Sequence, residues 1–263
     1  LRGRFAALKY DDHHILICRS PYIHINSSSG MRIMELKNAV VFITGANRGL
    51  GLTFAREALA RGARKVYAAA RDPSAITLEG VVPVKLDVTR AEDVAAAAEL
   101  AGDVTLVINN AGIADFGGFL APGSVESTRR HLDVNLFGPL LVSQAFAPVL
   151  AANGGGAILN VLSIASWLNR PMLGVYAMSK SAAWALTNGL RQELQAQNTQ
   201  VLGLHMGFVD TDLTKDIDAP KSSPQAIVAQ ALDALEAGER EVLADELTRQ
   251  VKQGLTASPA VYL

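Results

Sequence analysis

From Ala39 onward, short apolar runs alternate with longer helical stretches. Val40-Val-Phe-Ile43, Lys65-Val-Tyr-Ala-Ala69, Val82-Pro-Val-Lys-Leu86, Val104-Thr-Leu-Val-Ile108, Ile158-Leu-Asn-Val161, Val201-Leu-Gly-Leu-His205 and Glu241-Val-Leu-Ala244 read as strands. Helices are expected at 50–61, 90–100, 125–150, 176–197, 223–237 and 246–255. Pro139 is expected to bend or divide the third of these. Strands joined through helices make right-handed crossovers, so the sheet must be parallel and clothed on both faces. Apolar residues make up 49 % of the chain and aromatics 6 %, the Ala/Val/Leu filling that suits such a sheet. The expected fold class is α/β, with a doubly wound parallel sheet of about seven strands in a single domain over residues 37–263.

Residues 1–36 stand apart. They hold His13, His14, His24, the lone Cys18 and the polar run Asn26-Ser-Ser-Ser-Gly30. Ile15-Leu-Ile-Cys18 is too short for a signal core, and Asp11-Asp12 argue against a transit peptide. This segment is expected to be a disordered leader or an over-extended start, with Met31 or Met34 as the true beginning. Its histidines and cysteine match no metal-ligand spacing, so no metal is expected. One cysteine excludes a disulfide within the chain and fits a reducing, cytoplasmic setting. A net charge of −1 offers no basic field for nucleic acid. No apolar run is read as reaching the roughly 18 residues that would span a membrane.

Between the first strand and first helix lies Thr44-Gly-Ala-Asn-Arg-Gly-Leu-Gly51. Gly45 permits a tight exit from the strand, Gly49 a close backbone approach to a pyrophosphate, and Gly51 close packing of helix on sheet. The helix N-terminus then offers unpaired amides and a positive dipole end to phosphates. Small residues also serve ordinary turns, but at this place in a strand–helix series the loop indicates a Rossmann-type dinucleotide site. Its spacing, G-x-x-x-G-x-G, departs from the G-x-G-x-x-G fingerprint.

A second constellation is Tyr176-Ala-Met-Ser-Lys180, whose phenol and ammonium share one face of a helix, with Ser163 13 residues upstream at a strand end. A fixed ammonium favours the ionised phenol and lowers its pKa from roughly 10. Together they are acid/base machinery for a carbinol or carbonyl if a hydride carrier binds nearby. Singly, each has an ordinary explanation: a core aromatic, a solvated charge, a turn residue.

These elements resemble the short-chain dehydrogenase/reductase family over about residues 38–245. Asn109-Asn-Ala-Gly112 looks like its NNAG element, and Gly207-Phe-Val-Asp-Thr211 like the segment after its sixth strand. Asn135, Ser163, Tyr176 and Lys180 match its catalytic tetrad. The resemblance implies that Tyr176 exchanges a proton with the substrate oxygen and that Ser163 stabilises that oxygen. It implies that Lys180 lowers the phenol pKa and holds the nicotinamide ribose, and that Asn135 anchors a water of a proton relay. The expected cofactor residues are Gly45, Asn47, Arg48, Gly49, Leu50, Gly51, Arg71, Asp87, Val88, Asn109, Ala111, Gly112, Tyr176, Lys180, Val209 and Thr211; the substrate residues are Ser163 and Tyr176. Met206 stands where the family has proline, which is expected to loosen the loop after the sixth strand, and Leu162 where a serine is common.

The second strand ends on Ala70-Arg71-Asp72, without a carboxylate directly at its tip. With Arg48, Arg71 can clasp a 2′-phosphate, so NADP(H) is the expected cofactor. Asp87 is read either as an adenine contact or as a plain helix N-cap. Ile113, Phe116, Phe119, Trp167, Leu168, Met172, Met206 and Phe208 are expected to wall an apolar substrate site. The expected function is an NADP(H)-dependent oxidoreductase interconverting an aldehyde or ketone and an alcohol. The alternatives are a non-catalytic NADP(H)-sensing protein and a sugar-nucleotide epimerase or dehydratase. The implied partners are a small-molecule carbonyl or alcohol and a second copy of the chain, as homodimer or homotetramer.

Overall fold

The computed structural model describes residues 8–10, 13–15 and 33–263. Leu8–Tyr10 and His13–Ile15 form a small antiparallel pair and are a separate unit. The expectation of a leader, and of no metal site at Cys18 and His24, lies largely outside the described residues.

The larger unit contains seven strands: β1 (Val40–Thr44), β2 (Lys65–Ala70), β3 (Val82–Lys85), β4 (Leu106–Asn109), β5 (Gly156–Val161), β6 (Thr199–His205) and β7 (Glu241–Leu243). They form one parallel sheet in the order β3-β2-β1-β4-β5-β6-β7. The order reverses between β1 and β4, which is where a doubly wound sheet opens a crevice at its strand ends. The expected fold is therefore present, with each expected strand within two residues of its place.

Helices α1 (Gly49–Ala60) and α6 (Pro224–Glu236) cover one face; α2 (Ala91–Leu100), α4 (Gly138–Ala152) and α5 (Gly174–Glu193) cover the other. Alternation along β1 divides its side chains between the two cores. Val41 and Ile43 join Phe54, Ala58 and Leu232, while Val40 and Phe42 join Val142, Phe146 and Leu190. Phe42 and Phe146 stack at a tilt, centroids 4.5 Å apart. Met34 and Leu36 are buried in the first core, and the Leu36 N–H donates to Glu236 Oε1 at 2.9 Å. The packed unit thus includes side chains just ahead of residue 37.

The helix from Ser124 to Ala152 is not broken at Pro139. It opens into a π turn at Asp133–Phe137, between α3 (Ser124–Leu132) and α4, where the Gly138 N–H reaches back to the Asp133 carbonyl. Pro139 has no N–H for the carbonyl four residues earlier, so the α ladder cannot close there. By length and composition this continuous helix would suffice to cross a membrane, contrary to the expectation that no segment would. Here its face bearing Val142, Phe146 and Leu150 packs into the core.

Candidate functional site

A cleft of about 700 Å³ opens at the strand ends where the sheet order reverses. Gly45, Asn47, Arg48, Gly49, Leu50, Arg71, Asp87, Val88, Ala111, Gly112, Ser163, Tyr176, Lys180, Val209 and Thr211 all line it, as expected.

Its floor is built by the glycine loop. Gly45 and Gly49 have φ of +65° and +55°, a region that L side chains rarely enter. A Cβ on Gly51 would lie 2.1 Å from the Gly45 carbonyl oxygen, so only glycine lets α1 come this close. Helix α1 starts at Arg48 with no side-chain cap and no acidic residue in its first turn. Its leading amides and dipole are left for an anion, which fits a bound pyrophosphate. Thr44 ties this loop to the next: its hydroxyl accepts from Asn110 N–H at 3.0 Å and Ala111 N–H at 2.9 Å. Asn110 Nδ2 returns bonds to the carbonyls of Thr44 at 2.9 Å and Gly45 at 3.1 Å.

Asn109 is not where the sequence reading put it. It is buried, donating to Asn160 Oδ1 at 2.8 Å and Ser143 Oγ at 3.3 Å, whereas its neighbour Asn110 lines the cleft. Successive strand-end residues point to opposite faces, so a twin Asn-Asn puts one amide in the core and one at the site. That alternation could have identified Asn110.

Beyond the end of β2, Arg71 and Asp72 both line the cleft, and Asp72 is engaged in a local turn. Its carboxylate accepts from Ser74 N–H at 3.0 Å and Ser74 Oγ at 2.6 Å. Arg71 and Arg48 are exposed, and Arg48 forms a loose 3.7 Å pair with the equally exposed Asp212. Asp87 caps no helix; it closes a turn, accepting from Thr89 N–H at 3.0 Å, and Arg90 holds the N-cap position of α2.

Tyr176 lies in the first turn of α5, with Lys180 one turn on, as the spacing requires. Lys180 is buried and donates from Nζ to the Val161 carbonyl at 2.9 Å. Burial lowers its pKa to about 8. Burial also raises the Tyr176 phenol above its usual value, opposed by a hydrogen bond with Ser163. The expected lowering of the phenol by Lys180 is thus not what this geometry gives. The ammonium is committed to Val161 and sits 5.9 Å from the phenol ring centroid. Ser163 Oγ accepts from Ala165 N–H at 3.0 Å, which directs its own proton toward the Tyr176 phenol and the cleft.

Asn135 sits in the π turn and does not line the cleft. Its side chain is a clasp: Oδ1 accepts from Ile113 N–H at 2.9 Å, and Nδ2 donates to Ile113 O and Ser179 Oγ, both at 2.9 Å. That holds the strand-end loop against α5, beside Gly112, where an added Cβ would lie 3.2 Å from Asn135 Oδ1 and 3.7 Å from Lys180 Nζ.

Of the expected apolar wall, Ile113, Phe116, Met206 and Phe208 line the cleft; Phe119, Trp167, Leu168 and Met172 do not. Trp167 instead stacks on buried His205, and Phe119 packs beside Gly174. Leu162, Ile164, Leu173, Leu213, Ile217 and Leu247 are among the other apolar residues of the wall. Leu247 comes from α7 (Glu246–Gly254), beyond the stretch that carried the resemblance. Met206 does not leave the following loop loose. Its carbonyl accepts from Ile164 N–H at 2.9 Å, and Gly207 N–H donates to the Asp245 carboxylate at 2.6 Å.

A family model described as short chain dehydrogenase matches residues 39–222. The bovine protein Dehydrogenase/reductase SDR family member 4 is 35 % identical over 202 residues, 72 % of each chain. Galactitol 2-dehydrogenase (L-tagatose-forming) of Cereibacter sphaeroides is 35 % identical over 193 residues, 69 % of this chain and 76 % of that one. A solved short chain dehydrogenase from Burkholderia cenocepacia J2315, in complex with NADP, matches with a TM-score of 0.83 and 39 % identity over 86 % of this chain and 96 % of that one. Another from Burkholderia phymatum, in complex with NAD, shares the fold at 23 % identity and a TM-score of 0.76, covering 84 % and 94 %.

Proposed function

The chain belongs to the short-chain dehydrogenase/reductase family and is a nicotinamide-dependent oxidoreductase, and on that premise we propose that it reduces hydrophobic aldehydes or ketones to alcohols with NADPH, or runs the reverse reaction. The observation that carries this is the meeting of Ser163, Tyr176 and Lys180 in one cleft with the glycine loop.

When bound, NADPH supplies the hydride. Gly49, Leu50 and the start of α1 hold its pyrophosphate; Arg48 and Arg71 clasp its 2′-phosphate. Two things support the phosphorylated cofactor. Arg71, not a carboxylate, directly follows the last residue of β2 in the cleft lining, and the solved relative at 39 % identity was captured with NADP. The exposed Arg48–Asp212 pair is worth little and yields readily to a phosphate. Asp87 and Val88 flank the adenine, while Val209 and Thr211 face the nicotinamide end.

Tyr176 gives its proton to the carbonyl oxygen; burial keeps the phenol neutral, so the proton is there to be given. Ser163 donates its hydroxyl proton to the same oxygen and steadies the developing charge. Lys180 orients the ribose and returns a proton to Tyr176. Asn135 spends its side chain on the clasp, so its contact with a relay water falls to its backbone carbonyl, which lacks an i+4 donor because residue 139 is proline. The apolar wall from Ile113 to Leu247 excludes water around the reacting carbon. We place the enzyme in the cytoplasm, and Gly189, with open space around it on α5, as part of a face for a second copy.

The test follows cofactor absorbance, as NADPH oxidation across a panel of aryl and alkyl ketones and aldehydes and as NADP+ reduction across alcohols and polyols. Turnover of the apolar carbonyls is expected. A protein that binds NADPH and turns over none of them contradicts the proposal.

A further inference from the structure

His205 closes β6 and is fully buried, yet the proposed chemistry makes no use of it. Its Nδ1 lies 3.1 Å from the carbonyl oxygen of Ser163. A carbonyl only accepts, so Nδ1 carries the proton, and the neutral ring is the Nδ1–H tautomer. The same carbonyl accepts from Ser166 N–H at 3.0 Å, so both its lone pairs are used. The next peptide is tied to the same strand end through Ile164 N–H and the Met206 carbonyl at 2.9 Å. The backbone that carries the Ser163 hydroxyl is therefore pinned at two successive points by β6 and its extension.

The ring is itself braced. Trp167 stacks on it with centroids 3.9 Å apart and planes 18° apart. Lys252 of α7 places Nζ 4.3 Å from the Trp167 centroid and 5.7 Å from that of Trp184, which meets Trp167 edge-on. Such cation–π contacts hold both partners in place. Glu241 on β7 pairs with Lys252 at 2.9 Å and stands 3.6 Å from His205 Nε2. Nε2 has no hydrogen-bond partner among the described residues, as the tautomer demands when the atom opposite is also an acceptor. Burial lowers the His205 pKa to about 4; the Ser163 bond and Glu241 oppose this, while Lys252 and Arg191 add to it.

We propose that His205 is a positioning residue: its Nδ1–H, braced by Trp167 and the Lys252–Glu241 pair, fixes the Ser163 backbone and so the direction in which the Ser163 hydroxyl meets Tyr176 and the substrate oxygen. This rests on the reading of Ser163 as catalytic.

Long-range ¹H–¹⁵N correlation spectra of the cofactor-free protein test it without turnover. His205 should show the Nδ1–H tautomer and stay neutral at pH 6. An Nε2–H tautomer, or an imidazolium at that pH, overturns the proposal. Turnover adds a second test, read as NADPH oxidation with the fastest of acetophenone, benzaldehyde and cyclohexanone. His205→Asn places an amide donor near Nδ1, His205→Gln places it near Nε2, and His205→Phe has none. The Phe and Gln variants should lose about tenfold in kcat with the KM for NADPH unchanged, while Asn stays within about threefold of wild type. Equal loss in all three, by misfolding or by packing, overturns it. Ser163→Ala separates the two ideas. Full activity in that variant sinks the catalytic reading and the positioning role with it. An inactive Ser163→Ala beside a fully active His205→Phe sinks the positioning role alone.

Discussion

Lys180 Nζ donates to the carbonyl oxygen of Val161 at 2.9 Å, and no carboxylate among the described residues forms an ion pair with it. A buried ammonium with a single neutral acceptor is held against its own solvation, which is why its pKa falls to about 8. The folded-state value lies below the unfolded 10.5, so the fold disfavours the protonated form. That cost is complete below about pH 8 and disappears as pH rises from there toward 10.5, where the unfolded chain binds the extra proton. Cofactor-free wild type should therefore gain ~2–3 kcal/mol relative to Lys180→Met between pH 7 and pH 10. Urea unfolding of both proteins at the two pH values measures it, and a flat or reversed difference counts against the burial argument.

Tyr176→Phe keeps the ring and removes the proton donor. Turnover should fall by about three to four orders of magnitude, with NADPH affinity within a few-fold of wild type. Steady-state rates and fluorescence titration of bound NADPH check both halves. A variant that keeps a tenth of wild-type turnover rules out Tyr176 as the acid.

Arg71→Asp replaces a phosphate ligand with a carboxylate at the tip of β2. NADPH binding should weaken by about 10–100-fold while NADH binding holds or improves. Dissociation constants for both cofactors decide it. Tighter binding of NADH than NADPH by the wild type would remove the basis of the cofactor assignment.

Gly51→Ala puts a methyl group where the Gly45 carbonyl oxygen already sits. Backbone, not a flexible side chain, must yield, so α1 shifts off the glycine loop. NADPH affinity should drop at least about tenfold, and thermal unfolding should come several degrees earlier. Unchanged values for both would mean that the loop relaxes more freely than its packing suggests.

Much of this was legible in the sequence because the relevant signals are local. Val40–Thr44 followed by three spaced glycines specifies a strand, a tight turn and a helix start within twelve residues or so, and Tyr176 and Lys180 share a face through helical period alone. Most of the misses involve residues distant in the chain. Trp167 looked like a pocket wall because nothing local announces His205 or Lys252 as its partners. Leu247 and Asp245 reach the site from the C-terminal helix, where no motif points to it. The phenol pKa is raised because burial outweighs the Ser163 hydrogen bond, while the Lys180 ammonium is engaged with Val161. Asn109 and Asn110 differ only in which face of the sheet they meet.

The π turn at Asp133–Phe137 amounts to one residue more than an α-helix needs. Each residue advances a helix by about 100°, so the turn lets α3 and α4 keep one set of faces while Asn135 keeps another. Core and clasp are thus written in two different phases of the same helix. Deleting a single residue from this turn would bring them into one phase. The sheet would still be covered, while Ile113 and Ser179 would lose the amide that joins them.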